Sequence, residues 1–216
     1  VTSLGACNVP VDEWELDIVA SGSQKGYMIP PGLSFIAMSQ KAWEAAEKSN
    51  LPKFYLNLKS YRKSLLTNSN PYTPAVNLVF ALDEALKMMR EEGLDNIFQR
   101  HNKHKLAMSN AVKALNLKLF ADEKYLSPSI TAIKTEGIDA EEFRKTIKNN
   151  FDILLAGGQD HLKGKIFRVG HLGYVNDRDI ITVVSAMSNT LLKLGKISAQ
   201  QAGEALVVAS RYLEEN

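Results

Sequence analysis

The beginning of the chain shows short apolar stretches that alternate with turns and amphipathic segments. Apolar runs at 17–21 and 33–38 predict two strands, and the glycine- and serine-rich stretch 22–26 between them predicts a turn. Ser39 has the residue type that caps a helix, which we predict over 40–48. A strand, a loop, a second strand and a helix in this order predict an α/β fold.

The part that follows predicts mainly helix. Residues 52–69 carry a weak helical stripe of aromatic and leucine side chains, and the two prolines in 70–74 predict a turn. A second helix then begins at Thr73 or Pro74 and ends at Gly93, because glycine favours the end of a helix. We expect the apolar side chains of this helix to face the core: Val76, Leu78, Val79, Ala81, Leu82, Leu86 and Met89.

A long helix, predicted over 94–116, separates this part from a region in which strands and helices alternate. The predicted strands are 118–121, 129–134, 152–156 and 166–169, and the predicted helices are 139–148, 177–194 and 198–213. Asp139 and Glu142 have the spacing of a capping box at the start of the first of these helices. We therefore divide the chain into residues 1–93 and 94–216.

The composition limits the possible functions. The 216 residues are 45% hydrophobic and 23% charged, which is typical of a globular protein. The net charge of +2 gives no reason to expect nucleic acid or an anionic membrane as a partner. Cys7, the single cysteine, excludes an internal disulfide or an all-thiolate metal site and favours a reducing, cytoplasmic compartment. No apolar run approaches the roughly 20 residues of a membrane span.

The sequence opens on Val1 within a stretch that has the character of a strand entered from its middle. We therefore expect the chain to be a fragment that lacks a preceding segment. A processed N-terminus, or a disordered segment left out of the sequence, is the alternative explanation.

Lys25 is the first candidate for chemistry. A lysine that acts as a nucleophile toward a carbonyl must be held at a fixed point and partly removed from water, and a tight loop at the end of a strand fixes its position. Ser23 and Gln24, directly before it, offer a hydroxyl and an amide as donors for an anion. From these residues alone, a solvated loop lysine remains the competing interpretation.

The histidines and the cysteine are weaker candidates. His101 and His104 lie one helical turn apart, a spacing that could bind a metal, but no cysteine or carboxylate pattern completes the ligand set and their neighbours are basic. We therefore predict an exposed helix face for both histidines and no metal site. We expect Cys7 to be an inert buried thiol, because nothing pairs with it.

The turn around Lys25 resembles a known family segment. The sequence SGSQK at 21–25, followed by PPGL at 30–33, is similar to the cofactor-lysine segment of class V pyridoxal-phosphate aminotransferases, in particular of the alanine–glyoxylate and serine–glyoxylate branch. Further matching stretches lie at 1–5, 12–14, 157–158 and 165–173. The resemblance covers essentially the whole chain and corresponds to somewhat more than the second half of a family member. It implies an α/β fold of type I, with residues 1–93 ending the large cofactor domain and residues 94–216 forming a small C-terminal domain.

The resemblance also implies a set of site residues. Lys25 would bind pyridoxal 5'-phosphate covalently and then move a proton between the substrate α-carbon and the cofactor. Gln24 would bind the cofactor phosphate, and Thr73 would reach the phosphate bound to the other subunit of a dimer. Arg168 would bind the substrate α-carboxylate, since carboxylate recognition favours a rigid, two-pronged donor. Val1 would pack against one face of the cofactor ring.

Several family features differ or are missing. Asn70 stands where many members have a tyrosine that contacts the same phosphate, and the aspartate that pairs with the ring nitrogen falls outside this sequence. The phosphate loop and the aromatic that stacks on the other ring face are also outside it. We therefore predict that this chain alone is a poor aminotransferase. His171 lies in a matching stretch, and we expect a structural role for it.

Three functions compete at this point. The first is transamination between a small amino acid, alanine or serine, and glyoxylate. The full-length protein would act as a homodimer. A separate polypeptide that carries the missing segment is a further candidate partner. The second is the small subunit of a soluble hydrogenase, a label that some chains of this branch carry, with the metal centre on a partner because Cys7 alone cannot hold one. The third is a related lyase or desulfurase, which normally needs a reactive cysteine over the cofactor, where Cys7 is not placed.

Overall fold

The computed structural model describes residues 2–214, and its first part contains a two-stranded sheet and a short helix. Strands β1 (Ile18–Gly22) and β2 (Ser34–Met38) pair antiparallel. Helix α1 (Gln40–Lys48) follows, and the Ser39 hydroxyl caps it by accepting a hydrogen bond from the Ala42 N–H at 3.0 Å. These elements confirm the strand, loop, strand and helix predicted for this part.

Three helices connect this sheet to the second part of the chain. Helix α2 spans Leu58–Leu65, α3 spans Val76–Glu92 and α4 spans Leu94–Ala114. Gly93 alone separates α3 from α4, and its φ of +85° lies in the region that favours glycine. The predicted helix end at Gly93 is therefore confirmed.

The second sheet is antiparallel throughout, with the strand order β3-β4-β6-β5. Its strands are β3 (Lys118–Leu119), β4 (Ile130–Lys134), β5 (Ala156–Gly157) and β6 (Ile166–Gly170), and its helices are α5 (Ala140–Phe151), α6 (Asp177–Lys193) and α7 (Ala199–Glu214). The strands predicted over 118–121 and 152–156 are too long. In the second case, Asp152 ends α5 in a left-handed conformation, and only the last predicted residue enters the sheet.

The main hydrophobic core of the described residues lies between Ala107 and Leu213. Helices α4, α6 and α7 pack together there, and α5 covers the sheet. At the centre of the sheet face, the Phe143 and Phe167 rings lie 5.0 Å apart and are both buried. Residues 94–214 therefore contain a core built from their own side chains.

Helix α3 differs from its prediction. None of its residues is buried, and Val76, Val79 and Leu86 are exposed although they were expected to face the core. Phe80 is 71% exposed on the same helix. Leu78, Ala81, Leu82 and Met89 are half-buried, with Leu78 against Gly32 and Met89 against Gly5, so residues 2–214 cover only part of the apolar stripe. The division of the chain at Gly93 stays our proposal, and the position of the core supports it.

Within 2–214, no helix is both long and apolar enough to cross a bilayer.

Candidate active site

The turn that carries Lys25 is fixed by a buried serine. Ser23 has no exposed surface, and its hydroxyl donates to the Pro30 carbonyl at 2.8 Å and accepts from the Leu33 N–H at 3.1 Å. The Lys25 N–H donates to the Gly22 carbonyl at 3.1 Å. One hydroxyl thus ties the start of the loop to its end, so the backbone of Lys25 is held in place.

The side chains of Gln24 and Lys25 remain available for a ligand. Gln24 is exposed and Lys25 is half-buried. Among residues 2–214, the structure gives the Lys25 ammonium no hydrogen-bond acceptor and no ion-pair partner. Gly26 is buried because the backbone of Leu4 crosses it, and a Cβ there would lie 2.2 Å from the Leu4 carbonyl oxygen. The lysine is therefore positioned by its backbone and not by its side chain.

Arg168 lies in the middle of the second sheet. On β6 it faces Ala132 of β4 on one side and Ala156 of β5 on the other. Its Nε–H donates to the Gly157 carbonyl at 2.9 Å, and this bond does not use the two terminal nitrogens. The guanidinium is thus oriented by the backbone of a neighbouring strand.

The chain after β6 returns to the Lys25 turn. Gly173 has a φ of +80°, and a Cβ at this position would lie 2.6 Å from the Cβ of Met28. The Tyr174 N–H also lies 3.0 Å from the Met28 sulfur. The structure thus brings together the segments that follow Arg168 and Lys25, although it shows no direct bond between those two side chains.

A largely apolar cavity of about 460 Å³ lies beside this contact. Tyr27 and Met28 line it from the Lys25 turn, Met88 and Met89 from α3, and His101 from α4. The cavity shows that the Lys25 turn, α3 and α4 do not close tightly on one another within the described residues.

The remaining predicted site residues lie elsewhere. Thr73 and Asn70 are exposed in the turn before α3, and Thr73 shares no hydrogen bond with Gln24 or Lys25 in the part that the structure describes. The assignment of Thr73 to a neighbouring subunit stays a prediction. Val1 lies outside the described residues.

The exposed helix face predicted for His101 and His104 is wrong, because both side chains are fully buried. His101 Nδ1–H donates to the Ile97 carbonyl at 2.7 Å, and its Nε2 accepts from the Gly173 N–H at 3.1 Å. His104 Nε2–H donates to Asp177 at 2.8 Å. A signal for this burial was present in the sequence, since both histidines share one helix face with Ile97. The basic neighbours obscured it.

His171 is also buried, and its bonds fit the structural role that we expected. Nδ1–H donates to the Pro128 carbonyl at 3.1 Å, so Nε2 accepts from the Thr131 hydroxyl at 2.9 Å. Burial lowers the pKa of His171 from 6.5 to about 4, with smaller effects from His104 and His101. Burial likewise lowers the pKa of His101 and of His104. All three rings are therefore neutral at pH 7.

Sequence reasoning missed Arg100, which binds the segment after β6. Its Nη1 donates to the carbonyls of Gly173 at 2.9 Å and Val175 at 2.8 Å. Its Nε and Nη2 donate to Glu92, the last residue of α3. No local pattern pointed to these bonds, because Gly173 lies 73 positions further along the chain.

Comparisons with known proteins identify the family. The model of the class V aminotransferase family matches residues 1–180. The chain therefore belongs to the class V aminotransferases, a family that depends on pyridoxal phosphate. This confirms the resemblance drawn from the Lys25 turn and its placement in the glyoxylate branch.

Three relatives define the similarity more closely. A Synechococcus protein named soluble hydrogenase, small subunit, is 56% identical over 213 residues, which are 99% of this chain and 55% of that protein. The serine–glyoxylate aminotransferase of Methylorubrum extorquens is 36% identical over 224 residues, covering 100% of this chain and 55% of that protein. The solved ureidoglycine–glyoxylate aminotransferase of Bacillus subtilis superposes with a TM-score of 0.88 at 30% identity, covering 97% and 56% of the two chains.

The chain spans about half the length of the relatives it matches. Its α/β fold accordingly matches about half of a fold-type I aminotransferase, as predicted.

Proposed function

We propose that this chain forms the second half of an aminotransferase that moves the amino group of a small amino acid, alanine or serine, to glyoxylate. One observation carries the proposal: Lys25 lies on a turn fixed by a buried serine, and the segment after the Arg168 strand packs against that turn. The names of the glyoxylate aminotransferases among its relatives support this choice of substrates.

The residues of the Lys25 turn fit pyridoxal phosphate. When bound, this cofactor withdraws electrons from the substrate and so makes the proton on the α-carbon acidic. The Lys25 amine could join the aldehyde carbon, with the carbonyl oxygen leaving as water, because no acceptor in the described part holds it as an ammonium ion. Once the substrate amine has displaced Nζ from that carbon, Nζ could take the α-proton and return it. The exposed Gln24 amide can donate to the phosphate.

Two further contacts to the cofactor belong to the proposal. Thr73 would donate its hydroxyl to the phosphate bound by a second copy of the protein, which makes the active form a homodimer. Val1 would cover one face of the ring. Both assignments come from the family resemblance, and the exposure of Thr73 is compatible with a role across a subunit interface.

Arg168 would recognise the α-carboxylate of both substrates. Two carboxylate oxygens can accept from the terminal nitrogens of one guanidinium, while Nε stays bonded to Gly157. A 2-oxo acid presents the same carboxylate as an amino acid, so one arginine serves both halves of the reaction. Strands β4 and β5 pair with β6 on either side and fix the backbone of Arg168, while the bond to Gly157 orients its guanidinium.

The activity is proposed for the complete enzyme, by which we mean this chain together with the remaining half of the family's length. The protein itself supplies the lysine and the arginine, and we place the group that pairs with the ring nitrogen in the other half. We also place the enzyme in the cytoplasm, consistent with its single cysteine.

Borohydride trapping tests the assignment. The complete enzyme, loaded with pyridoxal phosphate and reduced, should carry the cofactor on the peptide that holds Lys25, and Lys25→Ala should abolish the label. Lys41, which is exposed and pairs with Asp17 at 2.9 Å, is the control position. A label on Lys41 or Lys53 in place of Lys25 would show that the site is elsewhere.

A second candidate is a subunit of a soluble hydrogenase. The observation in its favour is the name of the Synechococcus relative at 56% identity. Hydrogen activation uses iron or nickel held largely by thiolates, and Cys7 is the one cysteine of this chain, so the metal would belong to a partner subunit. Elemental analysis separates the two functions. Stoichiometric iron or nickel in the purified assembly, without a near-visible band removed by borohydride, would favour the hydrogenase.

A further inference from the structure

Arg100 uses nearly all of its hydrogen-bonding capacity at one junction. Four of its five N–H donors are engaged: Nε and Nη2 bind the two oxygens of Glu92, and Nη1 binds the carbonyls of Gly173 and Val175. The side chain is only 20% exposed. Arg100 therefore joins three segments: α4, on which it lies, the end of α3, and residues 173–175, which we call the 173–175 turn.

The neighbouring residue on α4 holds the same turn. His101 Nε2 accepts from the Gly173 N–H at 3.1 Å, so consecutive residues of α4 bind both the N–H and the carbonyl of Gly173. The ring of His101 is fixed in turn by its bond to the Ile97 carbonyl. These bonds leave the 173–175 turn little freedom to shift along α4.

The 173–175 turn is also in tight contact with the Lys25 turn. A Cβ on Gly173 would lie 2.6 Å from the Cβ of Met28 and 2.8 Å from its sulfur, so nothing larger than glycine fits against Met28. Arg168 lies five residues before Gly173, and Lys25 lies three residues before Met28. A movement of Gly173 relative to Met28 would therefore reach both side chains through at most five residues of backbone.

We infer that Arg100 is a positioning residue for amino transfer: by holding the 173–175 turn against Met28, it sets the distance between the Lys25 amine and the Arg168 guanidinium. The inference rests on the proposed roles of those two residues. Arg100 acts through the turn and touches neither the substrate nor the cofactor. Arg100 thereby determines how well Arg168 can bind the substrate carboxylate while the substrate amino group lies at Lys25.

The geometry explains why an arginine is needed. One edge of the planar guanidinium, formed by Nε and Nη2, faces Glu92, and the two N–H groups of Nη1 face the two carbonyls, whereas a lysine ammonium offers one point with three donors. Glu92 keeps the plane of the guanidinium in the orientation that directs Nη1 at Gly173. Arg100→Lys should therefore retain the attraction to Glu92 but lose part of the hold on the 173–175 turn.

Hydrogen exchange on this chain, without cofactor, gives the first test. In Arg100→Gln, the amides of Gly173 and Tyr174 should exchange faster, and so should those of Met28 and Ile29 across the contact. The amides of Phe167 and Val169 in β6 serve as the internal reference and should not change. Arg90→Gln, which alters an exposed arginine on α3, is the matched control. Unchanged exchange at Met28 and Ile29 would overturn the inference.

Kinetics of the complete, cofactor-loaded enzyme give the second test. In Arg100→Gln, the KM for alanine should rise roughly tenfold, while kcat changes less and the absorption band of the bound cofactor is retained. Arg100→Lys should raise this KM less than Arg100→Gln does, and it provides the measurement if Arg100→Gln does not fold. An unchanged KM in both variants would overturn the inference, whereas transamination that survives Lys25→Ala would instead remove the proposed function.

Discussion

The two regions on either side of Gly93 are stabilised in different ways. Residues 94–214 bury a continuous core of their own, whereas among the described residues before Gly93 the buried apolar side chains are Ala6, Val19 and Ala42. In the same region, Phe54, Leu66 and Phe80 are mostly exposed. The first region thus has apolar side chains without a core, and the second has both.

This difference shows what the first region requires. Exposed apolar surface of this extent normally marks a surface that another chain or segment covers. Since the chain spans about half the length of its relatives, we expect the uncovered faces of β1, α2 and α3 to contact the remaining half or a second copy. The second region needs no such contact to form its core.

Separation of the two regions should give the largest effect. We expect residues 94–216, expressed alone, to unfold cooperatively in urea, because their core lies within them. Residues 1–93 alone should show no cooperative transition, since they bury too little apolar surface. Circular dichroism during urea titration measures both. A cooperative, monomeric transition of 1–93 would remove the contrast between the regions.

Truncation of one phenylalanine in each region should give a smaller but still clear difference. Phe167→Ala removes a fully buried ring that packs on Phe143, and we expect the free energy of unfolding to fall by about 3–5 kcal/mol. Phe80→Ala, at a position 71% exposed, should cost less than about 0.5 kcal/mol in this chain. Urea titration of both variants checks this. Equal losses would show that α3 is covered in solution. A larger cost of Phe80→Ala in the complete enzyme than in this chain alone would show that the remaining half covers α3.

Acid should weaken the second region specifically, because all four histidines follow Gly93. His171 binds protons with a pKa of about 4 in the folded protein, against 6.5 without burial, so the unfolded state binds more protons in this range. Its contribution to stability is complete above pH 6.5 and is lost as the pH falls towards 4, up to about 3 kcal/mol.

The free energy of unfolding, measured in urea between pH 7 and pH 4, checks this dependence. His171→Gln should flatten the curve, while the exposed control His161→Gln should not. Burial lowers the pKa of His101 and His104 as well, so part of the slope should remain in His171→Gln. A slope that is the same in all three proteins would contradict the assignment to His171.

Loss of one helix cap should give a small effect that stays within the first region. Ser39→Ala removes the bond to the Ala42 N–H and also the 2.6 Å bond to Asp17, and we expect a loss of about 1 kcal/mol. Hydrogen exchange should accelerate in α1 and β1 and not in α6. Acceleration in α6 as well would mean that the two regions unfold as one unit.

Local patterns predicted most of the elements, and long-range contacts account for the errors. Ser39, Asp139 and Gly93 marked helix ends correctly, because caps and helix-ending glycines act within a few residues. The apolar stripe of α3 predicted a helix but not its surroundings, since periodicity shows which face is apolar and not what covers it. His101 was misjudged because its basic neighbours outweighed the burial signal of its own face.

The candidate site was predictable to a similar extent. The turn chemistry around Lys25 and the strand that carries Arg168 were both evident in the sequence, and the structure confirms a turn and a strand at these positions. The contact between Met28 and Tyr174 joins residues 146 positions apart, so no local signal could have shown it. Arg100 was missed for the same reason.

The fit of Gly173 against Met28 has a consequence for how the sequence can change. A side chain added at 173 has no space while Met28 remains, and its backbone conformation is also unfavourable for other residues. Met28 has a φ of +51°, so a glycine at 28 would relieve its own backbone as well as the contact. The two positions are therefore epistatic: a Gly173→Ala chain should recover part of its stability when Met28→Gly is added, so a side chain at position 173 depends on a smaller residue at position 28.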